Sequence, residues 1–137
     1  MSAPSPDQQQ IRFVEVDDVR LRTSVRGWGP PLLLITGLGA SLDLGAPFER
    51  ALSARGVQVI SFDAPGVGRS TAYRRPRRMR GVASTVEGML DALGYSRVDV
   101  LGVSLGGVIA QQLARQAPRR VRRLVLAATA PGLGGVP

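Results

Sequence analysis

The sequence predicts an α/β fold: a mainly parallel sheet with an N-terminal antiparallel hairpin and helices on both faces. Three observations carry this. Residues 32–36, 57–62, 98–103 and 121–128 are short, almost continuously apolar runs, the mark of strands buried on both faces. Between them lie stretches with helical spacing, and a strand–helix–strand alternation is solved by parallel pairing with right-handed crossovers. Glycine-punctuated turns follow three of the runs, at the strand ends where such sheets gather ligands.

Each element has its own signal. Residues 1–10 are polar and rich in Pro and Gln, and read as a disordered leader. Residues 11–16 and 19–25 read as two strands joined by the acidic turn Asp17-Asp18, a hairpin closed by the breakers Gly27, Gly29, Pro30 and Pro31. The first buried strand, 32–36, ends in Gly37. A short helix over 47–55 places Phe48, Ala51 and Leu52 on one side and stops at Gly56. The strand 57–62 is broken by Asp63-Ala64-Pro65-Gly66, and 66–80 is loop by its Gly, Pro and Arg content. In 82–93, Val82, Val86, Met89, Leu90 and Leu93 fall three and four apart before Gly94, an amphipathic helix. The third buried strand, 98–103, runs into a helix over 105–116 stopped near Pro118. The fourth is 121–128, and 131–137 is Gly/Pro-rich coil.

Composition removes whole chemistries. The 137 residues contain no His and no Cys, and all eighteen basic residues are Arg. Disulfides, thiol nucleophiles, imidazole bases and the usual catalytic zinc ligand sets are excluded, as are lysine Schiff bases and a P-loop lysine. Ser, Thr, Tyr, Arg and ten carboxylates remain. The leader lacks the basic start and apolar core of a signal peptide, and no run approaches the ~18 apolar residues of a membrane span. A soluble, cytoplasmic protein without membrane contact is expected. The net charge of +8 is concentrated at Arg74, Arg75, Arg77, Arg78 and Arg80, and again at Arg115, Arg119, Arg120, Arg122 and Arg123. With only Tyr73 beside a cluster, base-stacking platforms are missing, so these read as a solvated loop and helix end rather than a nucleic-acid surface.

The chemistry is carried by Gly102-Val103-Ser104-Leu105-Gly106, which fits the G-x-S-x-G nucleophile elbow. As bare text the pattern is weak, with roughly 0.15 matches expected by chance in a chain of this Gly and Ser content. Its context discriminates. A buried strand precedes Ser104, a helix follows it, and Gly106-Gly107 keeps the first helical turn slim. The hydroxyl would project at the sheet's upper edge with the Leu105 N–H in reach of a developing oxyanion. The plain alternative for Ser104 is a helix N-cap. A second oxyanion donor fits Leu38, within Gly37-Leu38-Gly39-Ala40 after the first buried strand. Asp63 has a catalytic reading as a triad acid and a simpler one, a strand-end Asp accepting N–H groups of its own turn.

The runs 34–40, 62–70, 102–107 and 124–130, in this order and spacing, resemble the N-terminal half of an α/β-hydrolase. Within that superfamily, Gly102 through Ala110-Gln111-Gln112-Leu113-Ala114 to Ala127-Ala128-Thr129-Ala130 looks most like the intracellular poly(3-hydroxyalkanoate) depolymerases, with Leu105 where those typically carry Trp. The resemblance implies Ser104 as nucleophile, backbone oxyanion donors at Leu38 and Leu105, no cofactor or metal, and hydrolysis of small or polymeric carboxylic esters through an acyl-enzyme. It also implies the hairpin at one sheet edge and strand 98–103 near the centre. Haloalkane dehalogenases and epoxide hydrolases carry Asp at the elbow and are disfavoured.

The family's acid and histidine follow the serine on two further strands, beyond a cap segment that would begin near 131–137. Only 33 residues follow Ser104 here. The expectation is therefore an incomplete hydrolase core over 11–130, inactive alone, whose apolar strand 121–128 is left as an edge open to self-association or to a complementing chain. The competing class is a non-catalytic remnant that binds a partner or an acyl ligand through the same cleft.

Overall fold

The computed structural model describes residues 7–36 and 41–130. Six strands, β1 (Gln9–Val16), β2 (Val19–Arg26), β3 (Pro31–Ile35), β4 (Gln58–Phe62), β5 (Val98–Val103) and β6 (Val121–Ala127), alternate with three helices, α1 (Leu42–Ser53), α2 (Met79–Leu93) and α3 (Leu105–Gln116). The strands form one sheet in the order β1-β2-β4-β3-β5-β6. β1, β2 and β4 pair antiparallel; β4, β3, β5 and β6 pair parallel. The α/β architecture with its N-terminal hairpin is thus as the sequence predicts. β5, expected near the centre, is the fifth of the six described strands, beside the edge strand β6.

Strand parity separates the two faces. Leu33, Ile35, Ile60 and Val100 point into the main core, where Val86, Met89 and Leu90 of α2 and Ala110 and Leu113 of α3 meet them. Each buried Leu, Ile, Val or Met among them contributes about 1.5–3 kcal/mol relative to exposure. α1 covers the opposite face of β2 and β4, where the side chain of Ser61 bonds Glu49.

Three sequence expectations change. The leader reading ends early, because β1 begins at Gln9: Gln10 lies opposite Val25, and Gly27 donates its N–H to the Gln8 carbonyl at 2.9 Å. α1 begins at Leu42, five residues before the expected start, and carries Pro47 inside it. Ser41 caps it, accepting the Leu44 N–H at 3.5 Å, and a carboxylate from a distant turn holds the Leu42 N–H. Two external acceptors at the first turn outweigh the hydrogen bond that Pro47 cannot donate. Finally, β6 is a strand but not a buried one. As the last described strand it leaves Leu124 36%, Val125 56% and Leu126 40% exposed.

The Arg clusters are partly neutralised. Arg77 pairs with Asp18 at 2.7 Å and stacks over Tyr73, while Arg122 grips both oxygens of Asp99 at 2.9 and 2.8 Å. The Arg122 grip holds the Asp99 carboxyl below the usual range. No helix among the described residues is long and apolar enough to cross a membrane.

Candidate active site

β5 turns into α3 at Ser104, whose backbone sits at φ 58° and ψ −128°. A non-glycine residue there is strained by about 1–3 kcal/mol. Two hydrogen bonds hold the turn: Ser104 donates its N–H to the Ala127 carbonyl at 3.0 Å, and Gly107 donates to the Ser104 carbonyl at 2.9 Å. The side chain makes no capping bond to the helix, and Ser104 is exposed. Ser104 thus occupies the N-cap position without doing an N-cap's work. Ser104 directly precedes Leu105, the first residue of α3, at the positive end of a helix whose leading amides have no intrahelical acceptor.

Three glycines make the turn possible by close approach. A Cβ on Gly102 would lie 2.6 Å from the Gly107 Cα and 2.8 Å from the Ala110 Cβ. On Gly106 it would run into the carbonyl of Ile35, and on Gly107 into the side chain of Thr129. The motif's glycines are therefore where strand, helix and neighbouring strands have no room for a side chain.

Leu38 lies in 37–40, outside the described residues. The strand that leads into this stretch is β5's direct neighbour, and Ile35 at its end pairs with Gly102, two residues before Ser104. At the same sheet edge, Ile35, Thr36, Phe62, Pro65, Val86 and Ile109 line an apolar crevice of about 30 Å³.

Asp63 is buried and committed to structure. Its Oδ1 accepts the Leu42 N–H at 2.7 Å and its Oδ2 the Arg69 N–H at 3.0 Å, with Arg22 at 3.7 Å. The Ser70 hydroxyl donates to the Asp63 carbonyl at 2.6 Å and accepts the Arg22 N–H at 2.9 Å. The turn reading of Asp63 accounts for Arg69; the reach across to α1 had no sequence signal. A second buried carboxylate was also missed. Glu49 of α1 is 1% exposed and accepts the Ser61 hydroxyl at 2.7 Å, and burial pushes its carboxyl above the ordinary range. Its place between Phe48 and Arg50 on a short helix reads as surface. No group of three His, Cys, Asp or Glu among the described residues could hold a metal ion.

Residues 30–134 match the family model of the alpha/beta hydrolase fold. The chain is 47% identical over 135 residues to a poly(3-hydroxyalkanoate) depolymerase of Ectopseudomonas oleovorans, covering 96% of this chain and 47% of that protein. It is 34% identical over 133 residues to a 2-hydroxymuconate semialdehyde hydrolase of Pseudomonas sp. (strain CF600), covering 95% and 47%. The crystal structure of a hydrolase from Pseudomonas aeruginosa PA01 superposes with a TM-score of 0.81 at 35% identity, over 88% of this chain and 46% of that one. The chain spans about half the length of the curated relatives it matches.

Proposed function

The chain belongs to the α/β hydrolase fold family, and we propose that it supplies the nucleophile and oxyanion donors of a serine hydrolase of carboxylic esters, of the esterase or polyhydroxyalkanoate-depolymerase kind. The observation that carries this reading is the strained, uncapped and exposed Ser104 at the N-terminus of α3. Strain of this kind persists where the surroundings over-determine it, and here it lifts a hydroxyl out of the sheet.

In this reading the Ser104 Oγ attacks the ester carbonyl carbon and gives its proton to a base. The negative oxygen is received by the backbone N–H groups of Leu105 and Leu38. The alcohol leaves with the proton held by the base, and water then attacks the acyl-enzyme, releasing the acid and restoring Ser104. These are acyl and proton transfers, and no cofactor is assigned to them. The chain has no histidine. The base and its orienting acid are assigned to a further segment, which would extend the sheet from β6 and cover Leu124, Val125 and Leu126. Similarity to the depolymerase supports a hydroxyacyl ester, small or polymeric, as substrate, and a cytoplasmic site of action is proposed with it.

The isolated 137-residue chain should not be labelled at Ser104 by a fluorophosphonate probe at neutral pH; labelling would overturn its inactivity alone. Translation of the DNA downstream of Pro137 should show a strand ending in Asp and a later one ending in His, in frame or shifted. Co-expression of that segment should restore labelling. A clean stop followed by unrelated sequence would favour the non-catalytic remnant instead.

A further inference from the structure

Between α1 and the strand ends lies a second crevice, of about 10 Å³, lined by Leu34, Thr36, Ser41, Gly45, Glu49 and Ser61 among others. That volume is about what one water molecule requires. Glu49 is 1% exposed and one of its oxygens takes the Ser61 hydroxyl; the Ser24 hydroxyl also acts on the carboxyl, while Oε2 makes no well-formed hydrogen bond among the described residues. Gly45, one helical turn before Glu49, helps keep the crevice open: a Cβ there would stand 4.0 Å from Oε2. A buried carboxylate oxygen without a well-formed bond, on a residue lining a water-sized crevice that hydroxyls also line, is under-satisfied unless something bonds it.

We propose that this crevice is a binding site for one ordered water molecule, held by Glu49 Oε2 and the hydroxyls of Thr36 and Ser41. The occupant is a neutral donor–acceptor rather than a cation. The charges of Arg26 and Arg50 both act on Glu49, and a cation would have to be bound against them. Water also serves either protonation state of the carboxyl, donating to an ionised Oε2 or accepting from a protonated one. Thr36 and Ser41 flank residues 37–40 on either side, so the water ties both ends of that stretch to α1.

The test is structural and does not read activity. A high-resolution crystal structure of the 137-residue chain should show a water within hydrogen-bond distance of Glu49 Oε2 and of at least one of the two hydroxyls. Glu49→Gln, which keeps a polar group at the site, should retain it. Glu49→Met, of similar volume and apolar, should lose it and raise hydrogen exchange of the amides at 42–44 by about tenfold over Glu49→Gln. A wild-type crevice with no ordered water, a rubidium ion bound there after a soak, or a water retained in Glu49→Met would each overturn the proposal. Should Glu49→Met fail to fold, the wild-type density alone decides.

Discussion

The Oδ1 oxygen of Asp63 accepts the backbone N–H of Leu42 at 2.7 Å, joining the turn after β4 to the first residue of α1 across 21 positions of sequence. Both residues are buried. The bond fixes Leu42 to the turn after β4, while β3 is fixed against β5 as far as Ile35. Asp63→Ala leaves the Leu42 and Arg69 amides without their acceptor and should lower stability by about 3 kcal/mol. The midpoint of urea unfolding measures it.

Ser104→Gly should move stability the other way. Glycine occupies φ 58° without the clash that a Cβ brings, so the variant should gain about 1 kcal/mol. It should also be unlabelled by a fluorophosphonate under every condition in which the wild-type serine reacts. A loss of stability would show that the Ser104 side chain supports the fold.

Two alanine substitutions at glycines should separate packing from propensity. Gly106→Ala forces a Cβ into backbone atoms of Ile35 and Thr36, which cannot swing away, and should cost about 3 kcal/mol. Gly81→Ala, inside α2, meets only the flexible Arg77 side chain, its Cδ at 3.3 Å, and should gain about 0.5–1 kcal/mol. Thermal melts of the two variants beside the wild type check both signs.

The exposed edge at β6 should drive association of the chain by itself. Sedimentation at micromolar concentration should find oligomers, and Val125→Lys, placing a charge on the exposed edge strand, should return the chain to monomer. A wild-type chain monomeric throughout would remove β6 as an interaction edge.

Glu49 should leave a signature in the pH dependence of stability. Its carboxyl is held above the ordinary 4.5 by burial, so the folded state binds its proton more tightly than the unfolded chain does. Stability from this group is fully present below pH 4.5 and is lost as pH rises through the raised folded value. Glu49→Gln removes the titration. The difference in stability, variant minus wild type, should therefore grow from pH 4 upward and level off once Glu49 is ionised.

Much of the fold was legible because its signals are local. The apolar runs, the spacing of Val82, Val86, Met89 and Leu93, and the stop at Gly94 each express a preference of a few neighbouring residues for water, core or a left-handed turn. The elbow was legible for the same reason: Gly102, Ser104 and Gly106 lie within five residues, and the constraint that spaces them is the width of one turn.

What required the tertiary structure is what two distant segments do to each other. The start of α1 at Leu42 depends on Asp63, and the burial of Glu49 depends on Ser61 of β4 standing beneath it. Thr129 fills the space that Gly107 vacates, and Val125 stands exposed on β6, the last described strand of the sheet. Which segments become strands and helices, and where a serine could be presented, are settled by residues in contact along the chain and so are readable from their order. Strand order, the partners of the buried carboxylates and the exposure of β6 were decided only when the sheet assembled, because burial and hydrogen bonding are shared between segments that no local pattern connects.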